Sequence, residues 1–238
     1  MLRTVWAALV GFVASIVAGS LVFLIALVKS NAALIDSVIR VWARMVIGAA
    51  GIDLRTEGVE TIDPRQRYIL VSNHHSYYDI PCILAAIPQS IRFMAKVSLF
   101  KIPFFGWGLD RAGFIPIDRK NRRTAVKSFD LAAQRIRKGN TIVVFPEEGR
   151  SRERAMRPFQ RGGFLLALRS ELPILPIAID GTYEVLAAGA KRVTPGPVTI
   201  KVGTPIPTAG LTVRDKDRLL QESRAQISAA LPDAEPAP

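Results

Sequence analysis

From Thr4 to Val28 the chain carries no charged side chain, and Val, Ala, Leu, Ile and Phe dominate the run. About 20 apolar residues in a helix suffice to cross the hydrocarbon core of a bilayer, so residues 1–30 are expected to form a membrane anchor. A cleaved leader is the competing expectation, but its apolar region extends only about 7 to 15 residues before a small-residue cleavage site. Gly11, Ser15 and Gly19 recur at every fourth position, a spacing that permits close helix approach in membranes and that also follows from the abundance of small residues there. Arg3 flanks the entry side, whereas Lys29, Arg40 and Arg44 flank the exit side. This asymmetry in positive charge places the bulk of the chain in the cytoplasm, and the expected location is the cell inner membrane with the main domain on its cytoplasmic side.

Residues 31–56 read as an amphipathic interfacial helix. Leu34, Ile35, Val38, Ile39, Val41, Trp42, Met45 and Val46 form a broad apolar face against Asp36, Arg40 and Arg44, and such a helix can lie in the headgroup layer or pack on the domain that follows. After Gly51 short apolar runs alternate with helical stretches, the arrangement of an α/β sheet. Strands are expected at 68–72, 91–95, 114–117, 141–145, 174–179 and 198–202, and helices at 80–87, 124–137, 162–169 and 214–231. The main domain is thus set at 57–231, followed by a disordered tail at 232–238 that has little to bury.

With 32 Lys and Arg against 20 Asp and Glu the formal charge is +12, which calls for an anionic partner: nucleic acid, an anionic membrane surface or a phosphorylated substrate. A hydrophobic content of 49% favours the membrane. Cys82 stands alone, so neither an intramolecular disulfide nor a cysteine zinc cluster is available. No Gly-x-Ser-x-Gly sequence occurs, against a serine esterase of the α/β-hydrolase type, and no phosphate-binding P-loop sequence is present.

Directly after the first expected strand comes Ser72-Asn73-His74-His75-Ser76-Tyr77-Tyr78-Asp79-Ile80-Pro81. A histidine in a polar loop at a strand end stands where α/β folds place functional groups, and imidazole takes up a proton near neutral pH. Pro81 needs a place near the first helical turn. That puts Asp79 at the helix start, from where its carboxylate can reach back to His74. Two readings fit. Asp79 orients a catalytic imidazole, or Ser76-x-x-Asp79 caps the helix and His74 is an ordinary loop residue. His75 has no evident partner and reads as an orienting or packing residue.

The block Asn73-His74-x-Ser76-x-x-Asp79 resembles the first motif of the 1-acylglycerol-3-phosphate acyltransferase (lysophosphatidic acid acyltransferase) family, a histidine and an aspartate separated by four residues. Four further blocks follow in the family's order. They are Ile102-Pro103-Phe104-Phe105-Gly106-Trp107, Gly113-Phe114-Ile115-Pro116-Ile117-Asp118-Arg119, Phe145-Pro146-Glu147-Glu148-Gly149-Arg150-Ser151, and the run from Leu172 to Ile179. The resemblance implies one α/β glycerolipid-acyltransferase-like domain, with a central mixed sheet flanked by helices. It implies that His74 is the general base and Asp79 its partner, and that Arg119, Glu147 and Arg150 bind the acceptor's glycerophosphate.

The implied reaction moves a fatty acyl group from acyl-CoA or acyl-carrier protein, as co-substrate, to the sn-2 hydroxyl of 1-acylglycerol-3-phosphate, giving phosphatidate. No cofactor, metal or nucleic acid is implied, and the implied partners are the lysophospholipid acceptor, the acyl donor and an anionic membrane surface. The alternatives are another lysolipid acceptor, such as lysophosphatidylethanolamine or lyso-ornithine lipid, and a non-catalytic basic membrane-binding protein. The third block departs from the family's usual Phe-Pro-Glu-Gly-Thr-Arg, with Glu148 in place of glycine and Gly149 in place of threonine. Glu148 either turns away toward an arginine such as Arg152 or Arg154, or faces the acceptor and favours a headgroup that carries an amine. The apolar stretch from Leu99 to Leu109 is expected to line an acyl-chain groove or to be ordinary core.

Overall fold

Apolar runs too short for helices pair into one sheet because their backbone groups, once buried, must find partners. The computed structural model describes residues 1–28, 32–118, 128, 131–136 and 139–232. Its strands are β1 (Ile52–Glu57), β2 (Ile69–Ser72), β3 (Ile91–Lys96), β4 (Ile115–Ile117), β5 (Thr141–Val144), β6 (Ile174–Asp180) and β7 (Gly196–Val202). They form a seven-stranded mixed sheet in the order β1-β7-β6-β2-β5-β3-β4. The neighbours from β6 to β4 run parallel, whereas β7 is antiparallel to β6 and parallel to β1. The central strand β2 is buried at every position, as a parallel strand covered on both faces must be.

Alternation along β2 sends Leu70 to one core and Ile69 and Val71 to the other. The first core is roofed by α1 (Leu2–Val28), α2 (Ala32–Ala50) and α3 (Asp79–Ala86). The second is roofed by α5 (Gly162–Ser170) and α7 (Lys216–Ala230). Between them in the chain lie α4 (Phe105–Ala112) and the short α6 (Thr182–Leu186). The first methyl-lined core holds Ile83 and Ile87, and the second holds Phe164 and Leu166, all essentially inaccessible.

The sheet begins at Ile52, inside the span expected to belong to the interfacial helix. β1 is an edge strand with only Ile52 and Leu54 partly covered and Asp53, Arg55, Thr56 and Glu57 exposed, too brief an alternation to stand out. Two helices, α4 and α6, escape sequence periodicity. α4 contains two glycines and starts from Phe104 at φ 61°, and α6 is a single turn. Most of the helix expected at 124–137, and the tail after 232, lie outside the described residues, although Ser128 and residues 131–136 are helical.

The apolar N-terminal helix lies along the domain. Thr4 Oγ1 accepts a hydrogen bond from Val193 N at 3.1 Å, and Gly19 meets the backbone of Phe104 and Phe105 while facing Gly108 of α4. A Cβ added at Gly108 would stand 2.6 Å from Gly19 Cα, so two glycines are required for this crossing. Elsewhere α1 presents Val5, Trp6, Leu9, Phe12, Val13, Val17, Leu21 and Leu24 to the outside. α2 packs on the domain through polar anchors: Arg92 Nη1 to Asp36 Oδ1 at 2.7 Å, and Arg40 to the carbonyls of Pro88 and Gln89.

Candidate active site

Three parallel strands, β2, β5 and β6, end side by side, and the polar residues just beyond their C-terminal ends converge. Asn73 continues β2 by side chain. Its Nδ2 donates to Ile179 O and its Oδ1 accepts from Ile179 N, both at 2.8 Å. His74 follows, its side chain 12% exposed, and the first residue of α3 is Asp79, which is wholly buried.

Asp79 is held as a pure acceptor. Its Oδ2 takes hydrogen bonds from His74 Nδ1 at 2.7 Å and from the backbone N–H groups of His75 and Ser76 at 2.8 Å, while Oδ1 takes the Thr182 hydroxyl at 2.5 Å. With the carboxylate occupied in this way, the proton on the His74 ring belongs on Nδ1 and the lone pair on Nε2. The ring is fixed from one face by Phe145, stacked at 4.0 Å between centroids and 13° between planes. Ser76 also serves the helix start, as the Ser76-x-x-Asp79 spacing suggests: its hydroxyl accepts Tyr78 N–H at 3.3 Å and donates to Leu186 O at 2.7 Å, while its own N–H goes to Asp79, although the residue directly ahead of α3 is Tyr78. His75 is buried beside Asn73 and Tyr183, and desolvation pushes its pKa below the usual histidine value, so it stays neutral and packs.

The loop after β5 grips the backbone of the same histidine. Glu147 Oε1 accepts His74 N–H at 2.7 Å, Glu147 Oε2 accepts Arg157 N–H at 2.8 Å, and Ser151 N–H donates to His74 C=O at 2.8 Å. Glu147 is only 2% exposed, and burial, which outweighs those N–H bonds, pushes its carboxyl up to about 7. The resemblance implies an acceptor binder at Glu147, but these partners make it a positioning group. Both oxygens already serve backbone donors, and a carboxylate facing a phosphate would repel it.

Arg150 lies on the same loop with its guanidinium 3.5 Å from the centre of the Tyr77 ring. Stacking uses the face of the guanidinium and leaves its N–H fork in plane for an anion. Next to it is an open polar bowl of about 520 Å³ bordered by Arg150, Ser151, Arg152, Glu153, Met156 and Arg157. Arg154 and Arg161 are engaged in ion pairs with Glu184 and Asp217, each at 2.7 Å. Arg119 lies outside the described residues.

On the apolar side Phe145 leads to Phe93, 5.8 Å between ring centres, and Phe93 lines a cavity of about 150 Å³ together with Ile80, Leu84, Leu99, Leu109 and Phe114. The structure therefore brings His74, Asp79 and Glu147 together and sets Arg150 on the adjoining loop. Sequence reasoning missed Thr182, Phe145 as a stacking partner, and Ser151 and Arg157 as backbone donors. Only the third block, which contains Phe145 and Ser151, hinted at those two.

A family model described as Acyltransferase matches residues 53–180. A chloroplastic 1-acyl-sn-glycerol-3-phosphate acyltransferase of Brassica napus is 30% identical over 164 residues, 68% of this chain and 46% of that protein. Human 1-acyl-sn-glycerol-3-phosphate acyltransferase alpha is 33% identical over 175 residues, 73% of this chain and 62% of that protein. The chain spans about half to two thirds of the length of the curated relatives it matches. The crystal structure of PlsC, the 1-acyl-sn-glycerophosphate acyltransferase of Thermotoga maritima, superposes with a TM-score of 0.82. It covers 100% of this chain and 97% of that one at 24% identity, a likeness of fold.

Proposed function

This chain belongs to the acyltransferase family, and from that premise we propose that it transfers a fatty acyl group from acyl-CoA or acyl-carrier protein to the sn-2 hydroxyl of 1-acylglycerol-3-phosphate, giving phosphatidate. The observation that carries the proposal is the buried Asp79 carboxylate, which accepts a hydrogen bond from His74 Nδ1–H and leaves Nε2 as a base. His74 Nε2 accepts the proton of the acceptor hydroxyl as that oxygen attacks the thioester carbonyl. The new C–O bond forms, the C–S bond breaks, and the imidazolium returns its proton to the departing thiolate. No acyl-enzyme forms. Asp79 steadies the imidazolium, and Thr182 and two N–H groups fix the carboxylate.

The surroundings of His74 suit the two halves of such substrates. Arg150 and Arg157 border the bowl that takes the acceptor's phosphate by charge-assisted hydrogen bonds. Arg119, from the second block, joins them in this proposal. The apolar cavity behind Phe93 takes an acyl chain. The exposed apolar residues of α1, with Leu99, Ile102, Phe104 and Trp107 beside them, rest in the membrane, on the cytoplasmic side of the cell inner membrane. This arrangement lets a membrane lipid reach the base while the donor carrier stays in water.

The test is direct: purified full-length protein in vesicles, given a panel of lysophospholipids with acyl-CoA and acyl-carrier protein as donors. Formation of phosphatidate from lysophosphatidate is the expected result. Transfer to no lysolipid from either donor overturns the proposal.

A further inference from the structure

Gly149 does not hold a left-handed backbone, so its conformation does not call for glycine, and the reason for the missing side chain lies in what stands over it. A Cβ added there would be 2.8 Å from Arg157 Nη1, and among the described residues no other atom beyond its chain neighbours comes within 4 Å. The Arg157 guanidinium thus rests on the bare backbone of Gly149, in the space a side chain would fill. Arg157 is an exposed residue, but the backbone that carries it is clamped. Its N–H donates to Glu147 Oε2 at 2.8 Å and its C=O accepts from Arg224 Nη1 at 3.0 Å. Phe159, two residues on, is buried in the second core, and Gln160 N–H returns to Pro146 C=O at 2.8 Å. Unlike Arg154 and Arg161, which pair with Glu184 and Asp217, Arg157 has no ion pair among the described residues.

We propose that Arg157, seated on Gly149, is a second anchored cation beside Arg150 and makes the acceptor site select a lysolipid that ends in a phosphate monoester over one whose phosphate is a diester. The proposal rests on the acyl-transfer reading of the site. A terminal phosphate presents three free oxygens and a charge of about −1.5 to −2 at neutral pH. A diester has one free oxygen fewer and a single charge. Each guanidinium fork engages two oxygens of one anion. Arg150, stacked by its face on Tyr77, and Arg157, resting on Gly149, border one bowl from two anchored positions, which suits a dianion with a full set of oxygens. With a diester the second fork loses an oxygen to the ester linkage and meets the headgroup's substituent instead. Glu153 lies on the same rim but is exposed, so water weakens its opposing charge.

The experiment uses full-length wild type, Arg157→Ala, Arg157→Lys, Gly149→Ala, Gly149→Val and the double variant Gly149→Val/Arg157→Ala in vesicles, each checked by thermal melting. Lysophosphatidate is the acceptor. Lysophosphatidylethanolamine is added as a competitor, which gives a constant for the diester whether or not it is acylated. Arg157→Ala should raise the lysophosphatidate KM about tenfold, the scale of one charge-assisted hydrogen bond, with kcat and the competitor's inhibition constant little changed. Arg157→Lys, a point charge without the fork, should fall between. Gly149→Ala and Gly149→Val should raise the same KM in order of bulk without a fall in melting temperature, because the atom they displace is the end of a flexible side chain. Valine is used in place of threonine, whose hydroxyl donates to phosphate. The double variant should be no worse than Arg157→Ala, since both changes act through one guanidinium. An unchanged lysophosphatidate KM in folded Arg157→Ala or Gly149→Val overturns the proposal. So does an equal rise for both lysolipids, or additive losses in the double variant. Absence of transfer by the wild type to any lysolipid instead refutes the underlying acyl-transfer reading, and the selectivity proposal falls with it.

Discussion

The loops that follow β2 and β5 lie side by side and are built in opposite ways. In the β2 loop the polar groups are mostly buried and, His75 Nε2 apart, hydrogen-bonded: Asn73 ties into β6, Asp79 accepts four hydrogen bonds, and His74 is fixed by a carboxylate, a ring and two backbone bonds. The β5 loop buries one carboxylate, Glu147, and turns Arg152, Arg157 and Glu148 outward. Glu148 holds a left-handed backbone at φ 54°. The contrast teaches a division of labour. In the reaction proposed above, proton transfer needs a base with a single tautomer and orientation, which rigid neighbours supply, whereas an anionic headgroup needs accessible cations. Glu147 joins the two, reaching from the open loop into the closed one.

The contrast breaks most visibly at the base. His74→Ala is expected to lower kcat by a hundredfold or more, about the worth of a positioned acid–base group, with the melting temperature and the acceptor KM little changed. Asp79→Asn should cost a comparable factor, because its amide can no longer accept from every donor that now surrounds it. Near-normal turnover by folded His74→Ala would leave the β2 loop without its assigned chemistry. Arg150→Ala should show the opposite signature, a KM for the phosphate-bearing acceptor raised roughly tenfold with kcat held nearly constant, the scale of one charge-assisted hydrogen bond. A fall in kcat alone would move Arg150 from binding to positioning.

Glu147 is the sharper test because it belongs to both loops. Glu147→Gln keeps the shape but replaces one acceptor oxygen by an amide that faces an N–H donor. A severalfold loss in kcat is expected, about 1 kcal/mol for one compromised buried hydrogen bond, without a rise in acceptor KM. The pH dependence of stability provides an independent reading. Burial raises Glu147 to about 7, so between the ordinary carboxylate range and pH 7 the folded chain holds a proton that the unfolded chain releases. This contribution is complete below the unfolded pKa and is lost as pH rises through the folded one. Denaturant titrations of wild type across that window should lose stability with rising pH relative to Glu147→Gln; parallel curves would show that Glu147 is not the group responsible.

How much of this was legible beforehand follows the same divide. The six strands from β2 to β7 announce themselves as short apolar runs, and the His74 to Asp79 spacing ahead of Pro81 can be read locally because both partners stand within one loop and one helical turn. Thr182 could not be read: it reaches Asp79 from 103 residues away, placed there only because β6 lies beside β2 in the sheet. Glu147 was legible as a position but not as a function, since its partners are backbone N–H groups that every residue carries. β1 was invisible because an exposed edge strand has little to bury, and the Gly19 to Gly108 contact because a spacing of small residues does not name the helix they meet.

The smallest expected effect falls on the residue where this chain departs from its family. Glu148 occupies a position where the family usually has glycine, and its φ of 54° is the conformation that glycine adopts without steric cost. Glu148→Gly should therefore stabilise the fold by up to about 1 kcal/mol, the lower end of the penalty for a side chain in the left-handed region, offset in part by the greater freedom of glycine in the unfolded chain. Its charge matters less than the sequence suggests. The side chain is exposed, and in water a unit charge 4 Å from another is worth about 1 kcal/mol. Lysophosphatidate should remain the preferred acceptor of wild type, with kcat/KM in Glu148→Gly changed by no more than about fivefold, the factor that energy allows. A wild type that instead prefers lysophosphatidylethanolamine or lyso-ornithine lipid severalfold, and loses that preference in Glu148→Gly, would show that the open loop uses Glu148 to recognise an amine.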